Sequence, residues 1–176
     1  MRLSILFLLI PLTTVALSFQ ESYQTPCRNE VTNAFKYFEG TWSISSRVMS
    51  SAGWDTTRAE SEFIIRQGGC FLEERWKGLM NGKRMEATVI IAYDTKREKC
   101  DLVSIDTEHG NINSMEGRYR DSVFVFHHTE MRTGRLLIDR ITMRLNTNAT
   151  LAWKLETSAD GGATWRSIWE MDYRKK

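Results

Sequence analysis

Two adjacent carboxylates, Glu73-Glu74, and two adjacent imidazoles, His127-His128, are the groups in this 176-residue chain whose type and spacing could do chemistry. Neighbouring residues on an extended strand point to opposite faces, so one member of each pair must face inward. If Leu72 and Trp76 point to the interior, so does Glu74. A lone carboxylate withdrawn from water is costly unless paired or solvated. Glu74 is therefore expected in an internal salt bridge, with Arg140 or Arg144 as partner, or as a ligand anchor; the salt bridge is the favoured reading. Of the histidines, His128 is assigned inward. A buried imidazole can ligate haem or act as a general base, but a satisfied core or rim histidine is the commoner outcome.

Other catalytic signatures are missing. The sequence holds no serine nucleophile elbow, no HExxH and no motif of paired carboxylates. No catalytic residue is assigned, and an enzyme using Glu74 and His128 as acid and base stays a secondary reading. The spacings of Cys27, Cys70 and Cys100 are not those of a zinc site, so no metal or cofactor is expected. Ser158-Ala159-Asp160-Gly161-Gly162-Ala163-Thr164-Trp165 fits an Asp-box pattern once. Its physical content is a hairpin whose aspartate caps the turn.

Elements that could position these groups follow from the hydrophobic pattern. Met1-Arg2, an apolar run to Leu17 and the small residues Ala16 and Ser18 read as a signal peptide over 1–18. Pro11 and the shortness of the run argue against a retained membrane anchor. The expected product is secreted or periplasmic, starts near Phe19 and makes no membrane contact after cleavage. Residues 19–28 read as a polar arm and 29–176 as one domain. Export makes the cysteines candidates for one disulfide and a free thiol. Asn148-Ala149-Thr150 is a possible glycosylation site at Asn148.

Val31, Ala34, Phe35 and Phe38 fall at helical spacing, with Asn29 as cap and Gly40 as stop. From Thr41 onward about ten alternating segments read as strands, joined by short turns such as Asn81-Gly82. Met85, Ala87, Val89, Ile91 and Tyr93 share a face, as do Trp165, Trp169, Met171 and Tyr173. Short connections force antiparallel pairing, and closure removes the two open edges. The fold class is all-β: a closed antiparallel up-and-down barrel with one short N-terminal helix. Cys70 and Cys100 then lie roughly 9–10 Å apart, two strand spacings. A disulfide tolerates Cα atoms at most about 7 Å apart, so any bridge should involve Cys27. With 24 basic against 22 acidic residues, nothing points to nucleic acid.

Gly40-Thr41-Trp42 after a short helix resembles the Gly-x-Trp signature that opens the first strand of lipocalins and other calycins. Residues 68–78 (Gly-Gly-Cys-Phe-Leu-Glu-Glu-Arg-Trp-Lys-Gly), Asn81-Gly82-Lys83, Ala92-Tyr93-Asp94, Glu116-Gly117-Arg118-Tyr119 and Met171-Asp172-Tyr173-Arg174-Lys175 extend the likeness over about 35–175. Their order is similar to that of a bacterial lipocalin-like (calycin-type) β-barrel family, the domain of unknown function numbered fifteen seventy-nine. The resemblance implies a fold and carries no activity. It implies that Trp42 closes one barrel end beneath a basic residue from the last strand, Arg174.

The expected function is binding of a small apolar molecule inside the barrel. The residues expected to line the cavity are Glu74, Trp76, Tyr93, Met115, Phe126, His128, Met143, Trp153 and Trp169. A third reading is an interaction module with a filled core, docking through a loop at Gly53-Trp54-Asp55. Ligand identity and oligomeric state are open at this point.

Overall fold

The computed structural model describes residues 27–80, 82–147 and 149–176. The signal-peptide and sequon assignments, and most of the arm, lie outside the described residues.

Helix α1 spans Glu30–Phe38. Asn29 starts it with a reciprocal cap: Thr32 N donates to Asn29 Oδ1 at 3.0 Å, and Asn29 N donates to Thr32 Oγ1 at 3.1 Å. Ten strands follow: β1 Gly40–Ser50, β2 Gly53–Arg66, β3 Phe71–Met80, β4 Lys83–Asp94, β5 Lys99–Asp106, β6 Ile112–Arg120, β7 Val123–Arg132, β8 Arg135–Thr147, β9 Thr150–Ser158 and β10 Arg166–Lys175. Each pairs antiparallel with its neighbour in sequence, and β1 pairs with β10 from Trp42↔Lys175 to Val48↔Trp169. The barrel is closed, as the short connections require.

One end is plugged. The apolar stripe of α1, too short to hold a helix by itself, is buried through Val31, Ala34, Phe35 and Phe38. Phe38 meets Phe63 and Phe124 edge-on at 5.9 and 5.7 Å. Trp42 is fully buried and donates from Nε1 to Phe38 O at 2.7 Å, tying the first strand to the helix end. Its cation is Lys175, whose Nζ lies 5.4 Å from the ring, and not Arg174. Alternation explains the correction: Lys175 shares the inward parity of Tyr173 and Met171, while Arg174 is exposed. A Cys27–Cys70 disulfide fastens the start of the helix to the β2–β3 turn, and Cys100 is a buried free thiol.

Gly53-Trp54-Asp55 is strand, not loop, because β1 and β2 pair up to Ser50↔Gly53. Trp54 is 40% exposed, with the Arg47 guanidinium 5.0 Å from its ring.

Candidate functional site

Past the aromatic plug the interior opens into a cavity of about 490 Å³. Strand alternation brings Glu74, Trp76, Met115 and His128 to its wall, together with Met143, Trp153 and Trp169. Two expected members are elsewhere. Phe126 stacks on Phe124 at 5.9 Å within the plugged end, over Gly117, where a Cβ would come within 2.6 Å of its ring. Tyr93 sits opposite Cys100, next to the β4–β5 turn at that same end. Both point inward; parity decides that, but the depth along the strand decides which half of the interior is reached.

Three tryptophans form the apolar wall. Trp169 meets Trp76 at 5.8 Å and Trp153 at 5.3 Å, both edge-to-face. Trp169 is held by its Nε1 donating to Ser46 Oγ at 2.9 Å. Trp76 folds over Gly78, where an added Cβ would lie 2.5 Å from the indole. A larger residue at 78 would push that ring into the cavity.

Glu74 lies at the floor, 4% exposed. No arginine among the described residues reaches it: Arg140 instead pairs with the buried Glu156 at 2.7 Å on the outward face of the strands and lies 3.8 Å over Trp165. Arg144 is exposed. Both arginines alternate with the inward Ile141 and Met143, so the expected salt bridge was barred by parity. Ser61 Oγ and Tyr173 OH donate to Glu74 Oε1 at 2.6 and 3.0 Å, leaving Oε2 without a partner among the described residues. Burial drives the carboxyl up from its ordinary value of 4.5 to about 7, opposed by the two hydroxyl donors. Burial, and then the neighbouring Glu74, likewise push the Tyr173 phenol well up. The sequence reading missed Ser61 and Tyr173 as partners. The signal was present in their parity with Phe63 and Met171 respectively.

The mouth is polar. Asp106, His109, Glu130, Arg132 and Asp139 line its upper wall. Arg132 pairs with Glu130 and lies 3.7 Å from Asp139, while His109 Nδ1 is 3.1 Å from Asp106. His128 stands opposite Asp139 across β7 and β8. His127, its neighbour, faces out, 6.3 Å from Trp165; burial and then Arg140 lower its pKa. The Ser158–Trp165 segment is a turn, as expected: Asp160 Oδ1 accepts from Ser158 Oγ at 2.7 Å and from Thr164 N at 2.9 Å.

The wall also has a seam. The ladder between β6 and β7 runs only from Arg120↔Val123 to Glu116↔His127. Beyond it, Ile112–Met115 and His128–Arg132 belong to strands that pair on their other sides with β5 and β8. A second hollow, lined by Leu102, Ser114, Met115, His128 and Thr129, lies along this parting. Both hollows share Leu102, Ser114, Met115 and His128, so the seam runs beside the main cavity.

Several solved structures resemble this chain. An S-type phycobiliprotein lyase from Guillardia theta is 12% identical, with a TM-score of 0.57 over 85% of this chain and 94% of that one. A de novo designed fluorescence-activating β-barrel is 18% identical, TM-score 0.46, over 81% and 97%. Another barrel, solved bound to DFHBI, is 11% identical, TM-score 0.48, over 82% and 98%. At such identities the likeness to the lyase is one of fold. Among curated proteins none matches the sequence. One family model matches residues 29–175, which takes in the helix, all ten strands and the whole cavity. The chain belongs to the family described as Protein of unknown function (DUF1579).

Proposed function

We propose that this barrel binds a small, largely apolar molecule in its interior. The observation that carries the reading is the cavity itself: about 490 Å³ walled by indoles and methionines, with a carboxyl at its floor. That volume falls within the range of roughly 300–1,000 Å³ typical of small-molecule sites, and the pattern of apolar walls with a few placed polar groups is theirs too. A packed interior would have closed this space, since protein cores leave few voids larger than a water molecule. The interaction-module reading fares less well: Trp54 is exposed but stands under Arg47, and a single aromatic is not a docking face.

Titration with apolar probes tests the reading. Trp76, Trp153 and Trp169 line the cavity, so a bound guest should change the intrinsic fluorescence, and native mass spectrometry should show an adduct that organic solvent removes. Trp76→Ala should weaken binding. If no apolar probe alters the emission and Trp76→Ala costs the full amount of a packed-core truncation, about 3–5 kcal/mol, the reading fails.

Export through a signal peptide over residues 1–18 belongs to the same proposal. The Cys27–Cys70 bridge supports it, because disulfides persist in oxidising compartments. Mass spectrometry of exported protein should find a chain beginning near Phe19; retention of Met1 would overturn this part.

A further inference from the structure

We infer that the guest is an organic cation, an apolar body ending in a protonated amine whose head is held by Glu74 Oε2 on the cavity floor. The inference rests on the cavity-binding reading and narrows it to one chemical class.

The floor carries a single acid with a vacancy of a defined kind. Ser61 and Tyr173 spend both their hydrogens on Oε1, which orients the carboxyl and leaves Oε2 unpartnered among the described residues. No basic side chain of the described residues pairs with it, so the counter-charge for the ionised form has to come from outside the protein. The rise of this carboxyl to about 7 reflects the same lack: burial is its leading cause, and no cation offsets it. An ammonium donating to Oε2 would supply both the missing hydrogen bond and the missing charge.

The wall suits a cation as well. Trp76 stands two residues along β3 from Glu74 on the same face, and Trp169 meets it edge-on at 5.8 Å. Indole faces attract ammonium groups, most strongly where water is excluded. The charge of the whole lining points the same way. Glu74, Asp106, Glu130 and Asp139 stand against one guanidinium, Arg132, which two of those carboxylates already neutralise. Each cavity histidine also stands beside one of these acids: His109 Nδ1 lies 3.1 Å from Asp106, and His128 is paired across the strands with Asp139. Such a mouth draws in cations and repels a fatty-acid carboxylate.

Three isosteric probes at pH 8 test the inference by tryptophan fluorescence: decylamine, decanol and decanoate. Decylamine should bind about tenfold more tightly than decanol, the yield expected of one charge-assisted hydrogen bond. Decanoate should bind more weakly than either. Glu74→Gln keeps the shape and an oxygen for Ser61 and Tyr173; in that variant decanol affinity should persist while the advantage of the amine disappears. Decanoate binding as tightly as decylamine, or an amine preference surviving in Glu74→Gln, would overturn the inference and leave cavity binding standing. Failure of decanol itself would remove the cavity-binding reading, and this one with it. Should Glu74→Gln not fold, the ranking of the three probes on the natural protein decides alone.

Discussion

Tyr173 and Glu74, 99 positions apart in sequence, meet on the cavity floor with the phenol donating to Oε1 at 3.0 Å. The contact joins β10 to β3 across the barrel interior, and Ser61 of β2 completes it at 2.6 Å. It holds a carboxyl where burial favours the protonated form. The consequence for stability has a definite sign. Folded Glu74 keeps its proton up to about pH 7, whereas the unfolded residue loses it near 4.5. Its contribution is fully present below the lower value and is lost as pH rises between the two, by about 3 kcal/mol. Urea unfolding of the natural protein and Glu74→Gln should therefore diverge over this window: the difference in stability shifts in favour of Gln as pH rises, then stays level above about 7. Surface carboxylates held low, such as Glu73 beside Arg66 and Arg75, are common to both and cancel. A pH-independent difference would place the carboxyl in water.

The barrel was largely legible in the sequence because its signal is periodic. Alternation over Met85–Tyr93 and Trp169–Tyr173 fixed which side chains face inward, and short turns fixed antiparallel order. Alternation has no information about depth. Phe126 and Tyr93 have the right parity, but they lie on the plugged half, so they pack where Trp76 and Trp153 line space. It also says nothing about which polar partner an inward acid finds. Glu74 was assigned an arginine, and the strands delivered two hydroxyls, one from β2 and one from β10. The parting of β6 from β7 carries no mark in composition, since each strand reads normally by itself.

The thiols should behave as two classes. Cys27 and Cys70 close a loop of 43 residues and anchor α1 over the plugged end. Reduction should cost about 2–4 kcal/mol. Cys100 is buried against the plug, and burial, then Asp101, pushes its thiol up to about 12. Iodoacetamide after mild reduction should label Cys27 and Cys70 in the folded protein and Cys100 only once it is unfolded. Rapid native labelling of Cys100 would contradict the packed end.

Gly117 should be intolerant of any side chain. A Cβ there would stand 2.3 Å from Val125 O, a backbone atom that the β6–β7 ladder fixes, and 2.6 Å from the Phe126 ring. Gly117→Ala should cost about 3 kcal/mol, the upper part of the range for overpacking. Thermal unfolding checks it; a loss below 1 kcal/mol, roughly the level of a tolerated core swap, would mean that the strands yield.

The β6–β7 turn offers the opposite case. Asp121 and Ser122 both take positive φ, 51° and 65°, the geometry of a two-residue turn that favours glycine at its second position. Ser122 is exposed, so its side chain contributes little packing. Ser122→Gly relieves the backbone at little cost in contacts and should stabilise by about 0.5–1 kcal/mol, raising Tm by roughly 1–4 °C. An unchanged or lowered Tm would show that the greater freedom of glycine in the unfolded chain outweighs the relief.

The seam between β6 and β7 makes the last prediction. Antiparallel strands bond alternately to the neighbour on either side, so strands paired on one side only leave every second amide free on the other. Ile112–Met115 bond to β5, and His128–Arg132 bond to β8, but the ladder joining β6 to β7 stops at Glu116↔His127. The amides of 112–115 and 128–132 that point into the seam should therefore exchange with solvent at least about 100-fold faster than those of 117–119 and 124–126 in the same strands. Exchange followed by NMR resolves single amides and so distinguishes the two directions within one strand. Binding of a guest gives the experiment a second arm. Met115 and His128 line both the cavity and the seam, so a molecule held inside should slow these amides more than those of the plugged end. Equal protection on the two halves of β6 would mean that the strands are joined along their whole length.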